Sequence, residues 1–475
     1  MNALLAALSL VLGVAISVSV TGGAAAVIFC AAVALIAGFA ISHVKEHGRF
    51  LLRIFITALL VRVVIGTFIY VSDSLEFFGG DAITYDILGY ILYDAWHGNA
   101  AGSGLVEEWA KGGGGWGMIY LVAAIYTLTG RNMLAVQYFN SIIGAATAPI
   151  IFLCARHIFQ NVRVATIAGL FVAFYPSLVL WSSQGLKDGP IVFLLALSML
   201  ATLKLGERFS YRDVIVLGCA LMALLSLRFY VFYMVLAAIA GSFLIGMRPV
   251  SSTNIMRQFV MVAGVGLLLT YVMVLRGVSQ QTEKFNLQSV QISRADLATS
   301  AQSGFGRDID VSTTSGALTA IPVGMVYLLF APFPWQLANL RQGITLPEML
   351  VWWASFPLLV IGTYFTIKYR LRQALPILIF TTMLTLAYSI FQGNVGTAYR
   401  QRAQILVFYF IFVAVGYVLV REKREDKMRQ ALMVKQEALE RARSMRARER
   451  YEHWKRGHEK ELEQVARDIT ERIDF

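Results

Sequence analysis

The chain has 475 residues, of which 57% are hydrophobic and only 15% charged, a balance that one soluble core cannot absorb. Its net charge of +12 is gathered in short loops and in one tail, which excludes the uniform basicity of a nucleic-acid binder and reads as topology information. Cys30, Cys154 and Cys219 all lie in apolar runs, so no disulfide framework is expected outside the membrane.

Apolar runs long enough to cross a bilayer recur from residue 3 to residue 420. They are too continuous for barrel strands, so the expected fold is an all-α polytopic membrane protein. Spans are predicted at 3–20, 24–42, 51–70, 133–155, 164–181, 189–204, 213–227, 229–247, 258–276, 347–366, 373–391 and 404–420, about twelve by the length rule. The first run has no basic segment before it and leads directly into the second, so it is read as a span rather than a cleaved signal.

Two further apolar stretches, 115–129 and 320–333, are short and flanked by Gly or Pro. If neither crosses, Lys45 to Arg53, Arg156 with Arg163, Lys204 to Arg212, Arg248 with Arg257, Lys368 to Arg372 and the tail all fall on one side. The positive-inside bias makes that side the cytoplasm, with both termini on it. The opposite side then receives the loop 71–113, the turn at Asp188, the turn at Arg228, the loop 278–320 and the segment 392–403. Arg131 and Arg276 are the basic residues that run against this count.

Those outer pieces carry the chemistry. In GGDAITYDILGYILYDAW, residues 79–96, apolar residues recur at helical spacing, so an interfacial helix is expected, with Asp81 at its N-cap. Asp81 serves either as a cap alone or as a carboxylate at the mouth of an intramembrane cavity, and Tyr85 lies one turn on, within reach of a substrate. WSSQGLKDG, residues 181–189, sets Lys187 and Asp188 at the start of a span, where a charge pair is an anchor or a site. Arg228 in LSLRFYVF is surrounded by apolar residues and requires a partner.

GNVGTAYRQRAQ, residues 393–404, places Arg400 and Arg402 just before the last span. Forked guanidinium donors suit lipid headgroups and a substrate phosphate alike. LLFAPFPWQ, residues 328–336, presents Trp335 from a Pro-broken segment, as an interfacial belt residue or as a platform for a sugar face. The Asp308-Ile309-Asp310 triplet is discounted as a metal motif, and only His97 of the six histidines falls outside, so a His-based cluster is not expected. A carboxylate-bound divalent ion, Mg or Mn, stays open as a cofactor.

From residue 421 the chain is densely charged. Tyr451, Trp454, His458, Leu462, Val465, Ile469 and Ile473 form one stripe at helical steps. The division is therefore 1–420, a transmembrane catalytic domain, and 421–475, a cytoplasmic helical tail that is a solvated extension or a docking element for a protein partner or the membrane lipids.

The order of these elements resembles the GT-C superfamily of membrane glycosyltransferases, particularly bacterial relatives of protein mannosyltransferases and aminoarabinose transferases. The residues that carry the resemblance are GGDAITYDILGY, GWGMIYLVAAIYTLTGRN, ARHIFQNVRVATIAGLFVAFYPS and LKDGPIVFLLALSML, over residues 51–247, joined by the later PFPW and RQR segments. The resemblance implies a polyprenyl-phosphate-linked sugar as donor, a glycan, lipid or protein acceptor, transfer at the outer face of a bacterial inner membrane, and inversion at the anomeric carbon. It also implies that Asp81 is the general base and that Asp188 is the acid of the second loop. Tyr85, Lys187, Arg228, Trp335, Arg400 and Arg402 are the expected substrate ligands. Many relatives carry two adjacent acids in the first loop; here Ala82 fills the second place. The rival readings are an envelope polysaccharide polymerase or ligase acting on lipid-linked oligosaccharides, and a lipid-linked sugar flippase.

Overall fold

The computed structural model describes residues 3–99, 102–111, 115–245, 264, 266–267, 286–300, 303–337 and 340–473. It divides into two units, Met1–Gly416 and Tyr417–Phe475. Among the described residues of the first unit the elements are helices, and the sole β pairing is an isolated bridge between Gly304 and Asn394. In the second unit the chain is the continuation of the helix Val395–Ile473, with Tyr451, Trp454, Leu462, Val465 and Ile469 all exposed along it.

Six helices are long and apolar enough to cross a bilayer, and seven if the pair Val162–Phe174 and Pro176–Ser182, bent by 53°, is one span. The expected count of about twelve is therefore not reproduced. Part of the difference is bookkeeping: Leu340–Phe391 leaves helical geometry at Arg370, between the two spans expected at 347–366 and 373–391, and so contains both. Part is length, because Ala3–Ser19, Tyr211–Leu227 and Phe229–Ile245 have 17 residues each, the lower limit for a span. The span expected at 258–276 lies outside the described residues apart from 264, 266 and 267.

Contacts between helix termini sort the first unit into two ends. At one end Asn132 donates to the Gly22 carbonyl at 2.8 Å and opens the helix Met133–Phe159 by capping Ala135. At the other end Arg156 lies 3.7 Å from Glu46, and His157 lies 3.2 Å from Glu207. Gly48–Val71 runs from the Glu46 end to the end that Asn132 begins, so the chain between residues 72 and 131 leaves and returns at one end. The helix Trp116–Thr129 has 14 residues, about 21 Å at 1.5 Å per residue, too short to cross alone. It packs instead along Asp81–Trp96, where a Cβ on Gly89 would stand 2.4 Å from Val122.

The second short stretch falls in a helix of 17 residues, as long as the three helices at the lower limit for a span. Thr314–Phe330 carries Pro322 inside it and is capped by Thr313. Ala317 and Ala320 pack near Ile390, while the Leu329 and Phe330 carbonyls accept from Trp352 Nε1 at 2.6 Å and Trp353 Nε1 at 3.1 Å. The helix thus packs against Leu340–Phe391 on both sides of its break at Arg370. Beyond Phe391 the segment read as a loop, 392–403, is helical from Val395 onward. Val395 donates to the Ser303 carbonyl at 3.0 Å and Phe305 to that of Gly393 at 2.8 Å, which ties the 303–305 loop to the start of the last helix.

Candidate functional site

Four separate segments deliver charged side chains to one place at the end of the bundle marked by Asn132. Asp81 is the first helical residue of Asp81–Trp96, one position inside the N-cap, which is Gly80 and makes no side-chain cap bond. Asp188 opens the helix Asp188–Glu207. Arg228 is the C-cap between Tyr211–Leu227 and Phe229–Ile245, and Arg400 lies in the second turn of Val395–Ile473.

Arg400 is the centre of the arrangement. Its Nη1 donates to Asp81 Oδ2 at 2.7 Å, and its Nε and Nη2 both reach Asp188 Oδ2, at 2.7 and 2.6 Å. The two carboxylates differ sharply in surroundings: the Asp81 side chain is 55% exposed and that of Asp188 is 1% exposed. A carboxylate as buried as Asp188 persists ionised only with close cations, and Arg228 adds a second at 3.7 Å. Arg228 in turn donates to the Tyr388 hydroxyl at 3.3 Å, and that hydroxyl donates to Gln404 Oε1 at 2.9 Å.

Lys187 Nζ lies 5.9 Å from the centre of the Tyr85 ring, itself buried and edge-on to Trp109. Burial, with repulsion from Arg228 beside it, pushes the Lys187 ammonium down to about 8. Burial likewise pushes the Tyr85 hydroxyl up. Gly115 at φ +83° closes the wall: a Cβ there would stand 3.0 Å from Lys187 Nζ and from the Leu227 carbonyl. Asp81, Tyr85, Lys187, Asp188, Arg228 and Arg400 are therefore brought together.

Two expected ligands stand elsewhere. Arg402 is two residues from Arg400 on the same helix, and such neighbours point to different faces. Its Nη1 donates to the Leu329 carbonyl at 3.0 Å and lies 3.3 Å from Met349 Sδ, and its Nη2 donates to the Ala331 carbonyl. It closes the C-terminus of Thr314–Phe330 rather than facing the two aspartates. Trp335 is exposed and stacked on Phe333 at 5.2 Å, in the turn that follows that helix.

The structure gives partners to further charged residues. Glu348 is buried, accepts from the Ser177 amide at 2.7 Å and from the Tyr399 hydroxyl at 2.9 Å, and so supports the chain on either side of the site. Arg62 is buried in Gly48–Val71 and donates to Ser182 Oγ at 2.8 Å and the Ala173 carbonyl at 2.7 Å. The signal that could have found it is an Arg inside the apolar run LLVRVVIG. Asp86 binds Arg131 at 2.7 Å and accepts from the Tyr126 hydroxyl, which gives Arg131 a local partner. Asp310 accepts from the Ser312 amide at 2.8 Å, a bond that holds its carboxyl below the usual range and gives the Asp308–Asp310 triplet a turn-forming role.

Among the described residues no three His, Cys, Asp or Glu side chains gather into a set that could hold a metal ion. At the site itself the space between the two carboxylates holds a guanidinium, and a cation there would have to displace Arg400 from both. The donor set does not fit a divalent ion in this arrangement.

Residues 116–275 match the model of the dolichyl-phosphate-mannose-protein mannosyltransferase family, a family of the GT-C type that the sequence resembles. The match covers Lys187, Asp188 and Arg228. No curated protein matches the chain. Among solved structures, ArnT from Cupriavidus metallidurans bound to undecaprenyl phosphate is similar at 15% identity and a TM-score of 0.42, over 63% of this chain and 49% of that one. The oligosaccharyltransferase AglB from the archaeon Archaeoglobus fulgidus, in complex with an inhibitory peptide and a dolichol-phosphate, is similar at 15% identity and a TM-score of 0.42, over 67% of this chain and 43% of that one. The chain thus spans less than half the length of either.

Proposed function

We propose that the protein is a membrane glycosyltransferase that moves a sugar from a polyprenyl-phosphate-linked donor to an envelope acceptor at the outer face of a bacterial inner membrane. The observation that carries this reading is the pairing of Arg400 with one exposed and one buried carboxylate, Asp81 and Asp188, at helix ends within reach of Lys187 and Arg228. The family match over 116–275 supports it.

An acceptor hydroxyl oxygen forms the new bond to the anomeric carbon while Asp81 takes its proton. The bond from that carbon to the phosphate oxygen breaks with inversion, and the electron pair leaves with the polyprenyl phosphate. Arg228, Lys187 and Arg400 stabilise the charge gathering on the departing phosphate. Arg400 has a second role in this scheme: the anionic donor competes with Asp81 for its Nη1, so donor binding frees the carboxylate to act as a base. Asp188 keeps the guanidinium in place throughout, because its own bonds to Arg400 are buried.

The test is incubation of the purified protein with a labelled polyprenyl-phosphate sugar and membrane-derived acceptors. Transfer of single sugars is expected. Growth of a chain from lipid-linked oligosaccharides would instead make the protein a polymerase or ligase, and movement of the donor across vesicles with no new bond would make it a flippase.

A further inference from the structure

A small cavity beside Asp188 is lined by Arg62, Gly144, Trp181, Ser182, Asp188 and Gly189, among others. It leaves about 20 Å³ to a water-sized sphere, against the roughly 10–15 Å³ that one molecule requires. Two buried polar atoms on its lining residues have no hydrogen-bond partner among the described residues: the acceptor Asp188 Oδ1 and the donor Trp181 Nε1. An orphaned acceptor and an orphaned donor on two residues that line one water-sized space are complementary, and buried polar atoms are seldom left unpaired.

We propose that this cavity is a binding site for one internal water molecule that accepts from Trp181 Nε1 and donates to Asp188 Oδ1, and that Arg62 is a positioning residue acting through it. The remaining contacts favour this. Ser182 Oγ accepts from Arg62 Nε at 2.8 Å and donates to the Leu178 carbonyl at 2.6 Å, which leaves one lone pair for the second proton of the water. Arg62 is 1% exposed, and its other bonds all go to backbone carbonyls, Ala58 at 3.1 Å, Ala173 at 2.7 Å and Val172 at 3.3 Å. Among the described residues no carboxylate lies within 4 Å of it, so Asp188 across the cavity is the anion that shares its space.

Glycine is required at one lining position and packs closely at another. A Cβ on Gly144 would stand 2.4 Å from Ser182 Oγ and 3.0 Å from Arg62 Nε, and one on Gly189 would stand 3.4 Å from the Ser182 side chain. Asp188 is thereby gripped at both oxygens: Arg400 holds Oδ2, while Oδ1 has Arg228 Nη2 at 3.7 Å and accepts a hydrogen bond from the water. The water site rests on the geometry around Asp188 and needs no assumption about the reaction; the role of Arg62 in positioning rests on the proposed transfer.

The experiment is a density map of the full chain in lipid nanodiscs at a resolution that shows ordered water, for the wild type and for Trp181→Phe, which keeps a ring but loses the donor. A peak within hydrogen-bond distance of both Asp188 Oδ1 and Trp181 Nε1 is expected in the wild type, with loss or displacement of that peak in Trp181→Phe. A wild-type map with no peak there, or with Oδ1 bonded directly to a protein donor, overturns the site whether or not the protein transfers sugar. For Arg62, a fall in kcat with unchanged KM for donor and acceptor is expected in Arg62→Gln, with recovery in Arg62→Lys. Unchanged kcat in a folded Arg62→Gln protein overturns its positioning role while leaving the reaction itself standing.

Discussion

Arg400 reaches Asp81 across 319 positions of sequence, its Nη1 donating to Oδ2 at 2.7 Å, and the same guanidinium holds Asp188 through Nε and Nη2. One cation thus serves an exposed carboxylate and a buried one, and substitutions at the two acids are expected to fail in different ways.

At Asp81 the loss is chemical. The side chain is half-exposed, and an exposed ion pair contributes about 0–1 kcal/mol to stability, so Asp81→Asn should fold and insert normally. Sugar transfer should fall by roughly two to four orders of magnitude, as for a lost general base. The check is turnover in protein whose melting temperature in detergent matches the wild type; near-normal turnover ends the assignment.

At Asp188 the loss is structural first. Neutralising it leaves Arg400 and Arg228 without their buried counter-charge, a change that costs on the order of 3–5 kcal/mol. Asp188→Asn should lower the melting temperature and the yield of folded protein, where Asp81→Asn does neither. Equal melting temperatures for the two variants would mean that Asp188 does not neutralise the arginines.

The contrast between Arg400 and Arg402 shows where the sequence was legible. Both sit in GNVGTAYRQRAQ, and treating that segment as a loop gave no helical face by which to separate them. Helix begins at Val395, so a spacing of two sends them to different faces. The helix at 81–96, by contrast, was readable from its own periodicity, because its buried residues Ala82, Tyr85, Leu88 and Leu92 repeat at helical steps. The meeting of Asp81, Asp188, Arg228 and Arg400 was legible only as a shared side of the membrane. Which donor faces which oxygen depends on tertiary packing, and no local pattern encodes it. Glu348 and Arg62 were passed over because single charges in apolar runs do not disturb the reading of a span.

Arg400→Lys and Arg402→Lys should therefore separate. Lysine keeps the charge but not the fork, so Arg400→Lys should weaken use of the lipid donor by about 1.5–3 kcal/mol while leaving acceptor affinity unchanged. Arg402→Lys should instead reduce stability, since it breaks the contacts to Leu329 and Ala331, with the donor titration unmoved. Donor and acceptor titrations alongside thermal unfolding decide it: a shifted donor curve in a fully stable Arg402→Lys protein would return that residue to the substrate.

The sidedness of the bundle has its own consequence. Lys45 is exposed at the end marked by Glu46, and Ser103 is exposed in the segment between Val71 and Asn132. With the three native cysteines replaced, Lys45→Cys and Ser103→Cys should react oppositely with an impermeant thiol reagent on intact cells. Labelling at Ser103→Cys with protection at Lys45→Cys fits an outward site; the reverse turns the protein over, and equal labelling contradicts the single crossing, Gly48–Val71, that separates the two positions.

Lys187 makes the proposed chemistry sensitive to alkaline pH. Its ammonium lies at about 8 because burial disfavours the charged form, whereas in the unfolded chain it loses its proton near 10.5. Between those values the unfolded chain binds more protons than the folded one, so this residue makes the fold more stable as pH rises from about 8 towards 10.5, and its full penalty is present below 8. Donor binding runs the other way. A phosphodiester donor keeps one negative charge over this range, so loss of the Lys187 charge removes an attraction, and donor affinity should fall as pH rises through about 8 while the melting temperature does not. Lys187→Met should bind donor more weakly at pH 7 and show no such decline. The measurement is donor affinity against pH for both proteins on the same preparation used for melting curves. A wild-type curve flat from pH 7 to pH 9.5, or a decline that survives in Lys187→Met, would remove Lys187 from the phosphate site.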